Sequence, residues 1–147
     1  MDRRLLNEGF TLIEMLVVLI IIGLLAGLVG PKLYARVDTS KVQTTEAQVK
    51  MLKGALETMR LDTGHFPTTT EGLALLCNAP ADPHLKALWK GPYLDQCPVP
   101  NDGWGNPFQY ALLSGNPQEP FALYSYGADG KPGGTGIDAD IGILPPQ

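Results

Sequence analysis

Glu14 places a carboxylate at the edge of an apolar run that carries no charge from Met15 to Pro31. An ionised side chain inside a bilayer costs about 2.5–3.5 kcal/mol on insertion scales. Glu14 therefore either snorkels to the interface, stays protonated, or takes a cationic partner. Asp129, Asp138 and Asp140 bring three carboxylates into a segment that also holds Gly130, Gly133, Gly134 and Gly136. Hard cations such as Ca2+ take about six to eight oxygen ligands, and glycines let a backbone fold tightly enough for oxygens to converge. The aspartate spacing is not that of an EF-hand, so the residues alone leave a metal loop and a solvated acidic turn both open. Cys77 and Cys97 form an even pair, compatible with one bridge or with two buried thiols.

The remaining polar residues suggest no reaction. His65 and His84 stand apart from any Cys/His cluster or helical carboxylate, and Trp89 and Trp104 read as packing residues. There is no G-x-S-x-G, H-E-x-x-H or P-loop pattern. No catalytic residue is assigned, and the chain is expected not to be an enzyme. A net charge of −4 with no basic cluster argues against nucleic acid as a partner.

The elements that must position these groups follow from the hydropathy pattern. The apolar run, with Phe10–Ile13 before it, is long enough as a helix to cross a hydrocarbon core of about 30 Å. It exceeds the roughly 7–15-residue core of a secretory signal, and Leu28-Val29-Gly30 lacks a small residue at the first position of a cleavage site. A retained anchor is expected. Arg3 and Arg4 precede the span while Lys32, Arg36 and Lys41 follow it, so basic residues alone do not orient it.

Beyond the span, Lys32–Asp62 contains no proline and one glycine, Gly54. Val42, Val49, Leu52, Leu56 and Met59 form the stripe of an amphipathic helix. The span and the stripe are read as one long helix, bent near Gly30-Pro31 and stopped at Gly64. Gly23 and Gly27 have the G-x-x-x-G spacing that permits close helix approach.

Twelve of the thirteen prolines follow residue 62, so the rest is expected to be short elements and turns. A short helix over 70–76 would be capped by Thr69 or Thr70. Residues 78–94 read as an irregular loop, and 108–112 and 121–126 read as antiparallel strands joined by the turn Ser114-Gly115-Asn116-Pro117. The fold class is α+β: a long N-terminal helix, half transmembrane and half amphipathic, packed on a small antiparallel sheet.

Gly9-Phe10-Thr11-Leu12-Ile13-Glu14 closely resembles the processing site of type IV prepilins and type II secretion pseudopilins. Later segments narrow the resemblance. Gly64-His65-Phe66-Pro67-Thr68-Thr69-Thr70-Glu71-Gly72-Leu73, Lys90-Gly91-Pro92-Tyr93-Leu94 and Asp102-Gly103-Trp104-Gly105-Asn106-Pro107-Phe108 are similar to segments of the major pseudopilins, as is Gly127–Ile141 to their C-terminal loop. Together they run over nearly the whole chain in the family's order. The central cysteine pair is a departure from the family.

The resemblance implies a type IV pilin-like fold with three parts: a leader at 1–9, a transmembrane and assembly helix at 10–31, and a periplasmic head at 32–147. A prepilin peptidase would cut after Gly9 and methylate the amine of Phe10. Glu14 would pair with the Phe10 amine of a neighbouring subunit. Ca2+ would bind through Asp129, Asp138 and Asp140. The chain would be a single-pass inner-membrane protein that polymerises into a periplasmic pseudopilus driving type II secretion, together with minor pseudopilins and an inner-membrane assembly platform. An oxidising periplasm would favour a Cys77–Cys97 bridge. A type IV pilus subunit for adhesion or motility, or a tethered calcium-binding module that never polymerises, are the alternatives.

Overall fold

The computed structural model describes residues 9–115, 117–118 and 120–146; residues 1–8 of the leader expected at 1–9, and Asn116 of the expected turn, lie outside them. Helix α1 spans Leu12–Thr63 and is helical at Pro31 and on both sides of it. It contributes to two units, one ending at Val37 and a compact head beginning at Asp38.

In the first unit every side chain from Phe10 to Val29 is exposed, and the helix is long and apolar enough to cross a membrane. An apolar surface on all sides of a helix is stable only against lipid or other apolar helices.

In the head, α1 carries the predicted stripe. Val49, Leu52, Leu56 and Met59 are buried, Val42 is half-buried, and Ala55 and Thr45 complete the covered face. Leu52, Leu56, Met59, Leu76 and Leu123 are fully buried, each contributing about 1.5–3 kcal/mol relative to exposure. The helix ends at Thr63, where Gly64 takes φ 85° and its N–H bonds the Arg60 carbonyl at 2.8 Å. That left-handed residue after the last turn is the expected glycine stop.

Strands β1 (Gln109–Leu112) and β2 (Phe121–Ser125) pair antiparallel, with Tyr110 opposite Leu123. A third strand not foreseen from sequence, β3 (Ile141–Ile143), pairs antiparallel with β2 and makes the order β1-β2-β3. Three residues with a central glycine carry too little alternation to read as a strand. Phe121 and Leu123 join the helical stripe in one core with Phe66, Leu73, Leu76, Leu94 and Phe108.

Two local expectations need correction. The segment after Pro67 folds as a 3-10 helix, η1 (Gly72–Leu76). Its entry is closed by Thr68, not Thr69 or Thr70: Thr68 N–H and Oγ1 both donate to Glu71 Oε2 at 2.8 Å, and Glu71 N–H donates to Thr68 Oγ1 at 3.2 Å. Thr69 Oγ1 instead accepts from the N–H of Leu112 at 3.0 Å on the outer side of β1. Within the expected irregular loop lies a short helix, α2 (Pro83–Leu88). Asp82 Oδ1 accepts from the N–H groups of His84 and Leu85 at 2.8 and 3.1 Å, and Pro83 starts the helix. An aspartate cap before a first-turn proline is a sequence signal for that helix.

Candidate functional site

The first site is the start of α1. Gly9 is exposed, with nothing within 4 Å of the position a Cβ would take, and Phe10 is 82% exposed. Thr11 and Glu14 form a reciprocal capping box. Thr11 N–H and Oγ1 donate to Glu14 Oε2 at 2.8 and 3.0 Å, and Glu14 N–H donates to Thr11 Oγ1 at 3.3 Å. The pattern T-x-x-E before an apolar run is the sequence signature of this device. It shows a role for Glu14 within its own chain: its carboxylate takes the Thr11 N–H while the Thr11 hydroxyl takes the Glu14 N–H, both without a partner inside the helix. Breaking and remaking these bonds would be part of any exchange to an intermolecular partner.

The second site is the glycine-rich loop between β2 and β3. Gly127 enters it at φ 74°, and a Cβ there would meet the Ala139 and Ile137 carbonyl oxygens at 2.7 and 2.8 Å. Only glycine allows this approach, so the loop's two arms press together at their base. The N–H of Ala128 donates to the Ile137 carbonyl at 2.9 Å, and η2 (Gly136–Asp138) follows Thr135. Asp129 Oδ1 accepts from Lys131 N–H at 3.0 Å, and both Asp140 oxygens accept from Gly133 N–H at 3.1 and 3.0 Å. All three aspartates thus lie on one loop. Among the described residues, however, no three acidic, imidazole or thiol groups gather closely enough to hold a metal by side chains alone. Any cation here would draw on backbone carbonyls as well, and the donors available are all oxygens.

The loop is fastened to the head by a residue that the sequence reading did not single out. Asp102 is 6% exposed. Its Oδ1 accepts from the N–H groups of Trp104 and Asn106 at 2.9 and 2.8 Å, and its Oδ2 accepts from the hydroxyl of fully buried Ser125. Ser125 Oγ accepts in turn from Gly127 N–H at 3.0 Å, and Asn106 Nδ2 donates to the Gly127 carbonyl at 3.0 Å. On the other side, Gly103 N–H donates to Thr45 Oγ1 on α1 at 3.0 Å. This chain of bonds ties helix, sheet and loop. An aspartate followed by G-W-G-N is a turn signal, but its burial depends on tertiary packing.

Cys77 and Cys97 are joined, with Cα atoms 5.7 Å apart. His65 Nδ1 lies 3.0 Å from the Phe66 carbonyl, while Trp89 Nε1 donates to the Leu75 carbonyl at 2.9 Å and its ring meets Tyr93 edge-on. These are packing roles.

A helix exposed and apolar at its N-terminal end, joined to a head with a three-stranded antiparallel sheet, defines a pilin-like subunit. Comparison with known proteins narrows this. The family model for the prokaryotic N-terminal methylation motif matches residues 5–30, and that for type II secretion system (T2SS), protein G matches residues 32–144. The type II secretion system core protein G of Pseudomonas aeruginosa is 46% identical, covering 97% of each chain. That of Vibrio cholerae is 37% identical over 97% of this chain and 94% of the relative. The crystal structure of the major pseudopilin from the type 2 secretion system of enterohaemorrhagic Escherichia coli superposes with a TM-score of 0.54 at 25% identity, over 76% of this chain and 92% of that one. The chain belongs to the type II secretion protein G family, the major pseudopilins.

Proposed function

We propose that this chain is the structural subunit of a periplasmic pseudopilus and acts by polymerising, without catalysing a reaction. The observation that carries the reading is the apolar helix, exposed on all sides from Phe10 to Val29 and headed by the Glu14 carboxylate. In the stored state lipid covers this surface, anchoring the subunit in the inner membrane by one pass with the head outside. In the filament, helices of neighbouring subunits replace the lipid.

A prepilin peptidase cuts between Gly9 and Phe10 and methylates the new amine. The exposed, uncrowded Gly9 supports access for such an enzyme. Glu14 then exchanges part of its hydrogen bonding with Thr11 for the Phe10 amine of the next subunit. Opposite charges attract strongly where water is scarce, so the pairing fixes axial register. Minor pseudopilins and an inner-membrane platform are the expected partners in assembly.

Ca2+ is the cation we assign to the loop of Asp129, Asp138 and Asp140. The three carboxylates carried on one glycine-rich loop, an all-oxygen donor set, support a hard cation. Bound there, the ion would neutralise like charges and stiffen the loop.

Intact-mass analysis of the membrane-extracted chain, paired with electron microscopy of filaments, tests the reading. A mass corresponding to a methylated chain beginning at Phe10, with filaments from wild type, is expected. A monomer that keeps residues 1–9 and forms no filament would refute it.

A further inference from the structure

We propose that Cys77 and Cys97 are the substrate of a periplasmic dithiol oxidase, with Cys97 as the attacking thiol and Cys77 as the resolving one. The proposal rests on the reading that the head is exported.

The bridge closes a segment that gives the core little beyond Leu94, with Trp89 and Tyr93 packed against it. Of residues 78–96, only Pro80 and Leu94 are buried, and α2 buries nothing. The stripe on α1, Phe66, η1, Phe108 and β2 all lie outside it. Its attachments cluster near its end. Trp89 Nε1 reaches the Leu75 carbonyl, Tyr93 N–H donates to the Leu76 carbonyl at 2.8 Å, and the Tyr93 hydroxyl donates to Asp62 Oδ2 at 3.0 Å. Lys90 Nζ lies 3.3 Å from Asp62 Oδ1. A six-residue helix has no stability by itself, so the segment depends on these bonds and on the bridge for its place on the head.

On that head the two sulfurs are not equivalent. Cys77 ends η1, its N–H bonded to the Ala74 carbonyl at 3.1 Å, directly after fully buried Leu76. It is half-buried and packed against the core, whereas Cys97 is exposed. Thiol–disulfide exchange needs open access for the attacking thiolate, and Cys97 has it.

The Cys97 thiolate attacks one sulfur of the oxidase disulfide, forming a mixed disulfide and releasing the oxidase's other sulfur as thiolate. The Cys77 thiolate then attacks Cys97 Sγ, and the oxidase's first sulfur leaves. The chain gives up two thiol protons and two electrons, and the oxidase disulfide becomes a dithiol.

The full-length chain, expressed in bacteria with and without their periplasmic dithiol oxidase, provides the test. Acid-quenched, alkylated samples are run on non-reducing gels. Cys77→Ser should accumulate a reducible adduct with the oxidase, at least about tenfold more than Cys97→Ser. Equal adducts, or more from Cys97→Ser, would overturn the order of attack. Full bridging of wild type at an undiminished rate in the strain without oxidase would overturn the need for a partner. Two free thiols in wild type with oxidase present would instead overturn the exported location. As a check independent of variant folding, the reduced wild-type chain in detergent is mixed with one equivalent of purified oxidase and quenched early. Peptide mapping should place the mixed disulfide on Cys97, and placement on Cys77 would contradict the proposal.

Discussion

The buried carboxylate of Asp102 accepts the hydroxyl of Ser125 while its other oxygen holds two backbone N–H groups, those of Trp104 and Asn106. Every bond runs into the aspartate, which accepts through both oxygens. Asp102→Asn would turn a donor toward the Ser125 hydroxyl or the backbone N–H pair. The predicted cost is about 2 kcal/mol, the penalty of a buried group left unpaired, or a drop of order 10 °C in the melting of the head. Thermal unfolding of the head from residue 38 onward measures it, and a change below about 2 °C would show that the pair is incidental.

The tyrosines set an alkaline limit. Burial, followed by the negative charge of Glu71, pushes the Tyr110 hydroxyl well above its usual range. The hydrogen bond to Tyr126, then burial, raises Tyr124 to about 12, and burial raises Tyr93. A folded pKa above the unfolded one means stabilisation that is complete below about pH 10. It is lost as pH climbs from there through the folded values. Head melting should therefore fall steadily above pH 10. Tyr110→Phe should flatten that fall while lowering neutral stability by about 1 kcal/mol, because the 2.7 Å bond to the Pro67 carbonyl goes. A slope identical to wild type would rule out Tyr110 as the cause.

Chelation tests the loop. Binding to the folded head alone stabilises it by about 2.7 kcal/mol when the ion is at a hundred times Kd. Removing Ca2+ should lower the melting temperature, and Ca2+ should restore it better than Mg2+, which sheds its water reluctantly. Asp140→Ala should abolish the response. Identical melting in chelator and in millimolar-range Ca2+ would reduce the segment to an acidic turn.

Much of the fold was legible because its signals are local. The spacing of Val49, Leu52, Leu56 and Met59 marks one helical face, Gly64 marks its end, and the apolar strands around Tyr110 and Leu123 mark a pair. The capping box of Thr11 and Glu14 was equally present in the residues, although the charge of Glu14 drew attention to partners outside the chain. Asp82-Pro83 spelled a helix start within a stretch whose prolines argued for a loop. β3 and the burial of Asp102 depend on what β2 and α1 bring to them, and no local pattern encodes that. For the loop, the sequence put three carboxylates close along the chain, but their bonds to Lys131 and Gly133 depend on how the backbone folds.

Glu14→Ala makes the span more apolar, so membrane insertion should persist. On the proposed pairing, filament yield should fall by about tenfold or more, since the Phe10 amine would lose its acceptor and an unpaired charge is penalised where water is scarce. Membrane fractionation and quantified filaments separate the two effects. Undiminished filaments would remove the account of register.

The most direct test of the central claim is deletion of the gene, with secretion and surface piliation scored together. Loss of type II exoproteins from the medium, their retention in the periplasm and unchanged surface pili are predicted, with restoration by wild type and not by Glu14→Ala. Normal secretion in the deletion strain, with or without loss of pili, would contradict it.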